Sequence, residues 1–314
     1  MIYSASMNLV SLVLVLISAA MHATWNLVSK RQVPTLTFFF VSNTVGALFL
    51  SPLLIYFSGA IASVPHVVWL YLVMTGFCMT VYFWALAAAY RISDMSLIYP
   101  IARSVPVILV ALVAQILGQG EPIGLMAAIG MLLVVGGCCI LPLSRAAKPG
   151  HAARQPLSAG VLLALVVAMG TVGYSILDDR SLRVMYGSAA SSLTRVEAAL
   201  IYAPLLAISA ALWSAVIVVG NWLLSGHRGR FMQLIRPNFN RRSIFTGIAT
   251  FTGYGLVLVA MTFATNVGYV VAFRQTSIPL GAVLGMVVLH EARYPAKIVG
   301  VATIFAGLVL VSLG

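Results

Sequence analysis

YFWALAAAYRISDMSLIYPIARSVPVILVALVAQILGQGEP, residues Tyr82 to Pro122, decides the fold, because the chain carries a second version of it. That version is YGLVLVAMTFATNVGYVVAFRQTSIPLGAVLGMVVLHEARYP, Tyr254 to Pro295. Each holds an arginine inside an apolar run (Arg103, Arg274), then Ser-x-Pro (Ser104 to Pro106, Ser277 to Pro279). A further apolar run follows in each, then Glu and Pro (Glu121 and Pro122; Glu291 and Pro295). A charge and a helix breaker at matching places in two apolar halves are the mark of a duplicated secondary transporter.

Composition agrees. The 314 residues are 61% hydrophobic and 8% charged, with mean hydropathy +1.06, whereas a soluble domain is roughly 25% charged. The net charge of +12 does not indicate nucleic acid, because most basic residues lie in short links between apolar runs and no soluble module offers a basic face. Cys78, Cys138 and Cys139 all fall inside apolar runs, with neither disulfide nor zinc spacing. No metal or cofactor is expected. The run from Asn8 to Val28 lacks a basic n-region and an A-x-A site and contains His22, Trp25 and Asn26. It is expected to be a retained span rather than a signal peptide.

A membrane-crossing helix needs about 20 apolar residues. Such runs centre on residues 8–29, 35–57, 67–90, 96–117, 122–142, 157–177, 194–222, 243–264, 269–289 and 295–313. The expectation is therefore an all-α polytopic membrane protein of ten transmembrane helices. The basic, Pro- and Gly-bearing link LSRAAKPGHAARQP (143–156) separates two halves. Residues 1–145 form one five-helix repeat, 146–156 a connector, and 157–314 the other repeat. WNLVSKR (Trp25 to Arg31) matches YSILDDR (Tyr174 to Arg180), and SPLL (Ser51 to Leu54) matches APLL (Ala203 to Leu206), in the same order as the arginine blocks. Five spans per half make the second repeat inverted relative to the first. Thirteen Lys and Arg residues lie in or beside the odd-numbered links and two, Arg180 and Arg183, in the even-numbered ones. The positive-inside rule then puts the odd links in the cytoplasm and both termini outside, in a multi-pass cell (inner) membrane protein.

The block from Ala85 to Leu141, with its small-residue stretch, mid-span proline, short Gly/Glu turn and Gly-rich last helix, resembles an EamA-type repeat. Across nearly its full length the chain is similar to the drug/metabolite transporter superfamily, and HATWN (His22 to Asn26) sits where relatives often carry a small-residue-Trp-Gly/Asn motif. The resemblance implies ten helices around a central cavity lined by the fourth and ninth. It also implies alternating access without a nucleotide, and export of amino acids, other small metabolites or toxic cations, often against protons. The charge-based orientation departs from ten-span relatives with cytoplasmic termini.

Within the spans, Arg103 and Arg274 lead. An arginine at the bilayer centre costs about 2.5–3.5 kcal/mol on insertion scales, and a guanidinium offers a fork of donors to a carboxylate or phosphonate. The competing reading is an arginine that snorkels or ties down neighbouring carbonyls. Pro106 and Pro279 are expected to kink their helices and to strip the carbonyls of Ala102 and Gln275 of their usual partners, with Ser104 and Ser277 as local substitutes. His22, Trp25 and Asn26 offer an imidazole, an aromatic wall and an amide, and Tyr82, Trp84, Tyr99, Tyr254 and Phe273 are further cavity candidates. Glu197 and His22 are the candidate proton carriers, Glu197 as the deeper acid beside Arg195. Asp178 and Asp179 close the sixth span, where adjacent carboxylates are usually hydrated. Asp94, Glu121 and Glu291 read as caps and turn residues. Gly136 and Gly137, with Gly300 and Gly307, are expected to let the last helix of each half pack closely.

The expected function is secondary transport, by a monomer, of a small anionic or zwitterionic metabolite such as an amino acid, organic acid or phosphonate. The alternatives are a flippase for lipid-linked or amphipathic molecules, a multidrug exporter and, last, a membrane enzyme, for which no nucleophile or metal spacing exists.

Overall fold

The computed structural model describes residues 7–29, 35–92, 95–140, 157–187, 193–224, 231–280, 283 and 295–314, without the side chains of 26–29, 90, 95–101, 157–158 and 297. The chain is an all-α polytopic membrane protein. Among the described residues ten main helices follow in order: α1 (Leu9–Ser29), α2 (Leu36–Tyr56), α3 (His66–Ile92), α4 (Met95–Ile116), α5 (Leu125–Ile140), α6 (Leu157–Gly187), α7 (Arg195–Leu224), α8 (Arg241–Met261), α9 (Val267–Arg274) and α10 (Pro295–Leu313). Short helical turns at Ser58–Ile61, Phe231–Ile235 and Arg236–Asn238 lie in the links. Among the described residues five segments are long and apolar enough to cross a membrane: Leu36–Tyr56, His66–Ala89, Ala159–Gly187, Arg195–Leu224 and Arg241–Met261. Leu9–Trp25, Ala102–Ile116, Leu125–Ile140 and Ile298–Leu313 are shorter apolar helices.

Local chemistry sets several helix starts. Thr35 accepts a hydrogen bond from Phe38 N at 3.1 Å to open α2. Asn240 and Ser243 form a capping box at α8, and Asn266 accepts from Gly268 N at 2.8 Å at α9. Pro52 in α2 and Pro204 in α7 are both accommodated inside their helices, where SPLL matches APLL.

The packing pairs map onto one another when α1–α5 are exchanged with α6–α10. α1 packs on α8 and α6 on α3; α3 packs on α7 and α8 on α2; α4 packs on α6 and α9 on α1. The pairs α2–α7, α4–α9 and α5–α10 map onto themselves.

The seam of α5 and α10 is built on glycines. A Cβ on Gly307 would fall 2.6 Å from the Gly130 carbonyl oxygen, and one on Gly130 would fall 2.6 Å from the Gly307 carbonyl oxygen. Gly137 meets Gly300 in the same way, with 2.7 Å to its carbonyl, whereas Gly136 faces open space and has no part in the contact. Backbone against backbone leaves nothing flexible to move aside. Gly307→Leu is expected to destabilise the protein by about 1–3 kcal/mol, read as a lowered melting temperature in detergent; an unchanged melting temperature would contradict the close approach.

Two helices differ from expectation. α6 runs ten residues past the expected end at 177, so Asp178 and Asp179 lie inside the helix and are 0% and 1% exposed. They do not close the span at water, because each has partners within the protein. α9 is broken at 275–276 and helical again at 277–280. The carbonyl of Gln275, which Pro279 deprives of its i+4 donor, accepts instead from Ile278 N at 2.9 Å, so it is not left without a partner. α4 continues through Pro106.

Candidate functional site

Two adjoining cavities lie between α1, α3, α4, α6, α8 and α9, and Tyr82, Arg103 and Arg274 line both. Arg103 comes from α4 and Arg274 from the last residue of α9, so the duplicated blocks do bring their arginines to one place. Their volumes are about 20 and 40 Å³. Ligand pockets run to roughly 300–1,000 Å³, and one water needs about 10–15 Å³. The site as folded therefore has room for water and not for a metabolite, which would enter only with movement of the helices that carry it.

Arg103 is tied to α1: its Nη2 is hydrogen-bonded with His22 Nε2. With the guanidinium donating, the imidazole is an acceptor at that nitrogen. Trp25 stands edge-on to the His22 ring, 4.9 Å between centroids at 81°, and is buried. His22 thus positions Arg103, and Trp25 positions His22. Both line the larger cavity. The side chains of Asn26 and Tyr99 lie outside the described residues.

Arg274 is held differently. Its guanidinium carbon lies 5.1 Å from the centroid of the Tyr254 ring, a cation–π arrangement. Among the described residues no carboxylate lies within ion-pair distance of it. Gln275 lines the smaller cavity and donates through Nε2 to Val271 O at 3.2 Å. Its Oε1 is buried and has no hydrogen-bond partner among the described residues, and the same holds for the hydroxyls of Thr276 and Ser277 at the break. Ser104 is buried on α4, as is Ser277 after the break, and neither lines the cavities. Pro106 lines the smaller cavity. Phe273 is buried, and Trp84 is 43% exposed on the outer face of α3, so Trp84 is not a cavity residue.

Glu197 is not a deep acid. It sits in the first turn of α7, where its Oε2 accepts from the Thr194 amide and hydroxyl at 2.8 Å each, and its own N–H donates to Thr194 Oγ1 at 3.2 Å. These reciprocal bonds cap the helix. Arg195 donates to the Thr262 carbonyl at 3.1 Å and lies 5.4 Å over the Tyr186 ring. Neither residue reaches the cavities. Glu121 sits in the α4–α5 turn, where its backbone binds Thr265 and Asn266; Asp94 and Glu291 lie outside the described residues.

The acid joined to the site, through Tyr254, is Asp178. Its Oδ1 accepts from Thr75 Oγ1 at 2.6 Å and from Tyr202 OH at 2.8 Å, and its Oδ2 from Tyr254 OH at 2.5 Å. The donors come from α3, α7 and α8. Three hydrogen bonds to a charged group, at about 1.5–3 kcal/mol each, offset a burial cost of several kcal/mol. Tyr254 joins this cluster to Arg274, and Tyr174 meets both the Tyr254 ring, at 5.6 Å, and the Tyr82 ring, at 6.1 Å. Neither Thr75 nor Tyr202 stands out in the sequence. The legible signal was the hydropathy of α6, which resumes after the Asp pair in SLRVMYG.

Residues 9–142 match the sequence model of the EamA-like transporter family. A crystal structure of another protein superposes with a TM-score of 0.69 at 16% identity, covering 96% of this chain and 96% of that one, a likeness of fold. No curated protein matches the chain. The family match thus spans α1–α5, and the likeness of fold extends over nearly the whole length of the chain.

Proposed function

We propose that the protein is a secondary transporter, working as a monomer, that moves a small anionic or zwitterionic metabolite across the cell (inner) membrane by alternating access, in the direction of export. The observation that carries this reading is the convergence of Arg103 and Arg274 on the same buried cavities. Two guanidiniums in a low-dielectric site attract an anion and repel a cation, since unit charges 4 Å apart interact by about 4 kcal/mol even at an effective dielectric of 20. The exchangeable packing pairs support two inverted five-helix repeats, residues 1–145 and 157–314, that rock about this site. The charge count supports odd-numbered links in the cytoplasm and termini outside.

Uptake into proteoliposomes tests the class. Labelled amino acids, carboxylates and phosphonates should be taken up and organic monovalent cations should not; transport of cations alone would overturn the reading. The Gln275 Oε1 beside Arg274, buried and without a donor among the described residues, favours the zwitterion among these, because an ammonium or hydroxyl hydrogen would satisfy it. Gln275→Met is expected to weaken binding of an amino acid by about 1–3 kcal/mol, the cost of a lost partner for a buried group. Binding of the corresponding acid without its amino group should not change. Equal loss for both ligands would assign Gln275 to packing.

A further inference from the structure

Asp178 has no role in holding an anion, yet it is built into the same structure. It is wholly buried on α6, and among the described residues no cation lies within ion-pair distance of it. Three hydroxyls on three other helices donate to it, at 2.5–2.8 Å. A carboxylate offers about four lone-pair sites, so three of them are occupied. Thr75 is nine residues into α3 and Tyr202 seven into α7, or roughly 10–14 Å from those helix starts at 1.5 Å per residue. The acid therefore lies within the bilayer thickness and not at the end of its long helix. Tyr254 is shared: its hydroxyl is spent on Asp178 and its ring lies under Arg274.

We infer that Asp178 is a proton-binding site coupled to the anion site, so that an anion at Arg274 and a proton at Asp178 are bound together. This rests on the reading that Arg274 takes an anion. The sign follows from charge. The buried carboxylate and a bound anion both draw on the positive charge of Arg274 and repel one another, and neutralising the carboxyl removes that repulsion. By linkage, the anion then raises proton affinity by the same factor as the proton raises anion affinity. The proton comes from the aqueous phase when the anion binds and returns to water when it leaves; no other bond changes. A protonated carboxyl has one hydrogen to donate, so one of the three hydroxyls must turn from donor to acceptor. If it is that of Tyr254, the change is felt at the ring beneath Arg274. The other titratable groups facing Asp178 are Tyr202 from α7 and Cys78 from α3, with Asp179 next to it on α6 already paired with Arg183. Short oxygen–oxygen distances with the hydroxyls donating to the carboxylate suit a proton; a metal cation would need their lone pairs turned inward.

The chain has three aspartates, Asp94, Asp178 and Asp179, so labelling their side-chain carboxyls with carbon-13 gives a spectrum that can be assigned. The full-length protein in liposomes is titrated by infrared or magnetic resonance, with and without methanesulfonate, an anion of fixed charge. One carboxyl should pass between its ionised and protonated forms, and Asp178→Asn should remove its signal. Should that variant not fold, Tyr254→Phe makes the assignment, because it takes a hydrogen bond from this carboxyl and from no other. Methanesulfonate should raise the proton affinity of that group about 5–150-fold, the usual range of coupling between sites. Methanesulfonate that binds without moving the titration overturns the coupling alone, as does a signal that answers to sodium and not to pH. Methanesulfonate that does not bind, or binds Arg274→Gln as well as it binds the wild type, overturns the anion site and the coupling with it.

Discussion

Arg274→Gln should weaken binding of a small carboxylate or sulfonate by about 2–5 kcal/mol, the cost of truncating one partner of a buried, hydrogen-bonded charge pair. At 1.4 kcal/mol per tenfold, that is a loss of about 30-fold to a few thousand-fold. Arg103→Gln should cost less. Arg103 already gives one of its donors to His22, and its loss leaves an imidazole that can find another partner. Arg274 has the Tyr254 ring beside it and no carboxylate among the described residues, so its charge is the less spent of the two. If both clamp one anionic group, the double variant will lose less than the sum of the singles, since residues that share a partner are not additive. Lysine in place of Arg274 should recover only part of the loss, because it brings charge without the planar fork. Equilibrium binding to purified protein in detergent checks all four variants. Wild-type affinity in both single Gln variants would remove the anion site.

Much of the fold was legible, because the bilayer enforces it. A helix that must satisfy its own backbone in lipid announces itself as an apolar run, and the starts of all ten main helices described lie within a few residues of where those runs begin. Both misjudged helices involve polar groups that find partners inside the protein. The sequence reading ends the apolar run at 177, because two adjacent carboxylates read as a helix end at water. Three hydroxyls and Arg183 supply instead what water would have, and they come from α3, α7, α8 and a point four residues further on. No linear pattern aligns Thr75, Tyr202 and Tyr254. Glu197 differs, because its neighbour Thr194 makes a local capping box: the Thr-x-x-Glu spacing at a helix start near 194 places it in the first turn and not deep in the span. The arginines were legible because charge in a span is rare. That they meet in one cavity was not, since the spacing from arginine to proline differs between the copies, three residues against five.

Arg183→Met should be among the most damaging single substitutions for folding. Asp179 is 1% exposed, and its Oδ2 accepts from Arg183 Nε at 2.8 Å one helical turn away. A surface pair at this spacing would be worth only about 0.3–0.5 kcal/mol. Here the acid is inside the protein while the side chain of Arg183 is 31% exposed, so the arginine carries the charge balance of the pair toward its surface. Removing the arginine leaves a buried carboxylate without its cation, a loss of about 3–5 kcal/mol for a broken buried pair. The complementary change separates this from a general loss of packing. Asp179→Leu in the same chain removes the stranded charge, and replacing a buried pair by apolar groups of similar volume is often neutral. The double variant Asp179→Leu, Arg183→Met should therefore melt close to the wild type and well above Arg183→Met alone. Thermal or denaturant unfolding in mild detergent measures all three proteins. If the double variant melts as low as the single one, the arginine stabilises α6 by its stem and not by its charge, and Asp179 would have to be neutral as it lies.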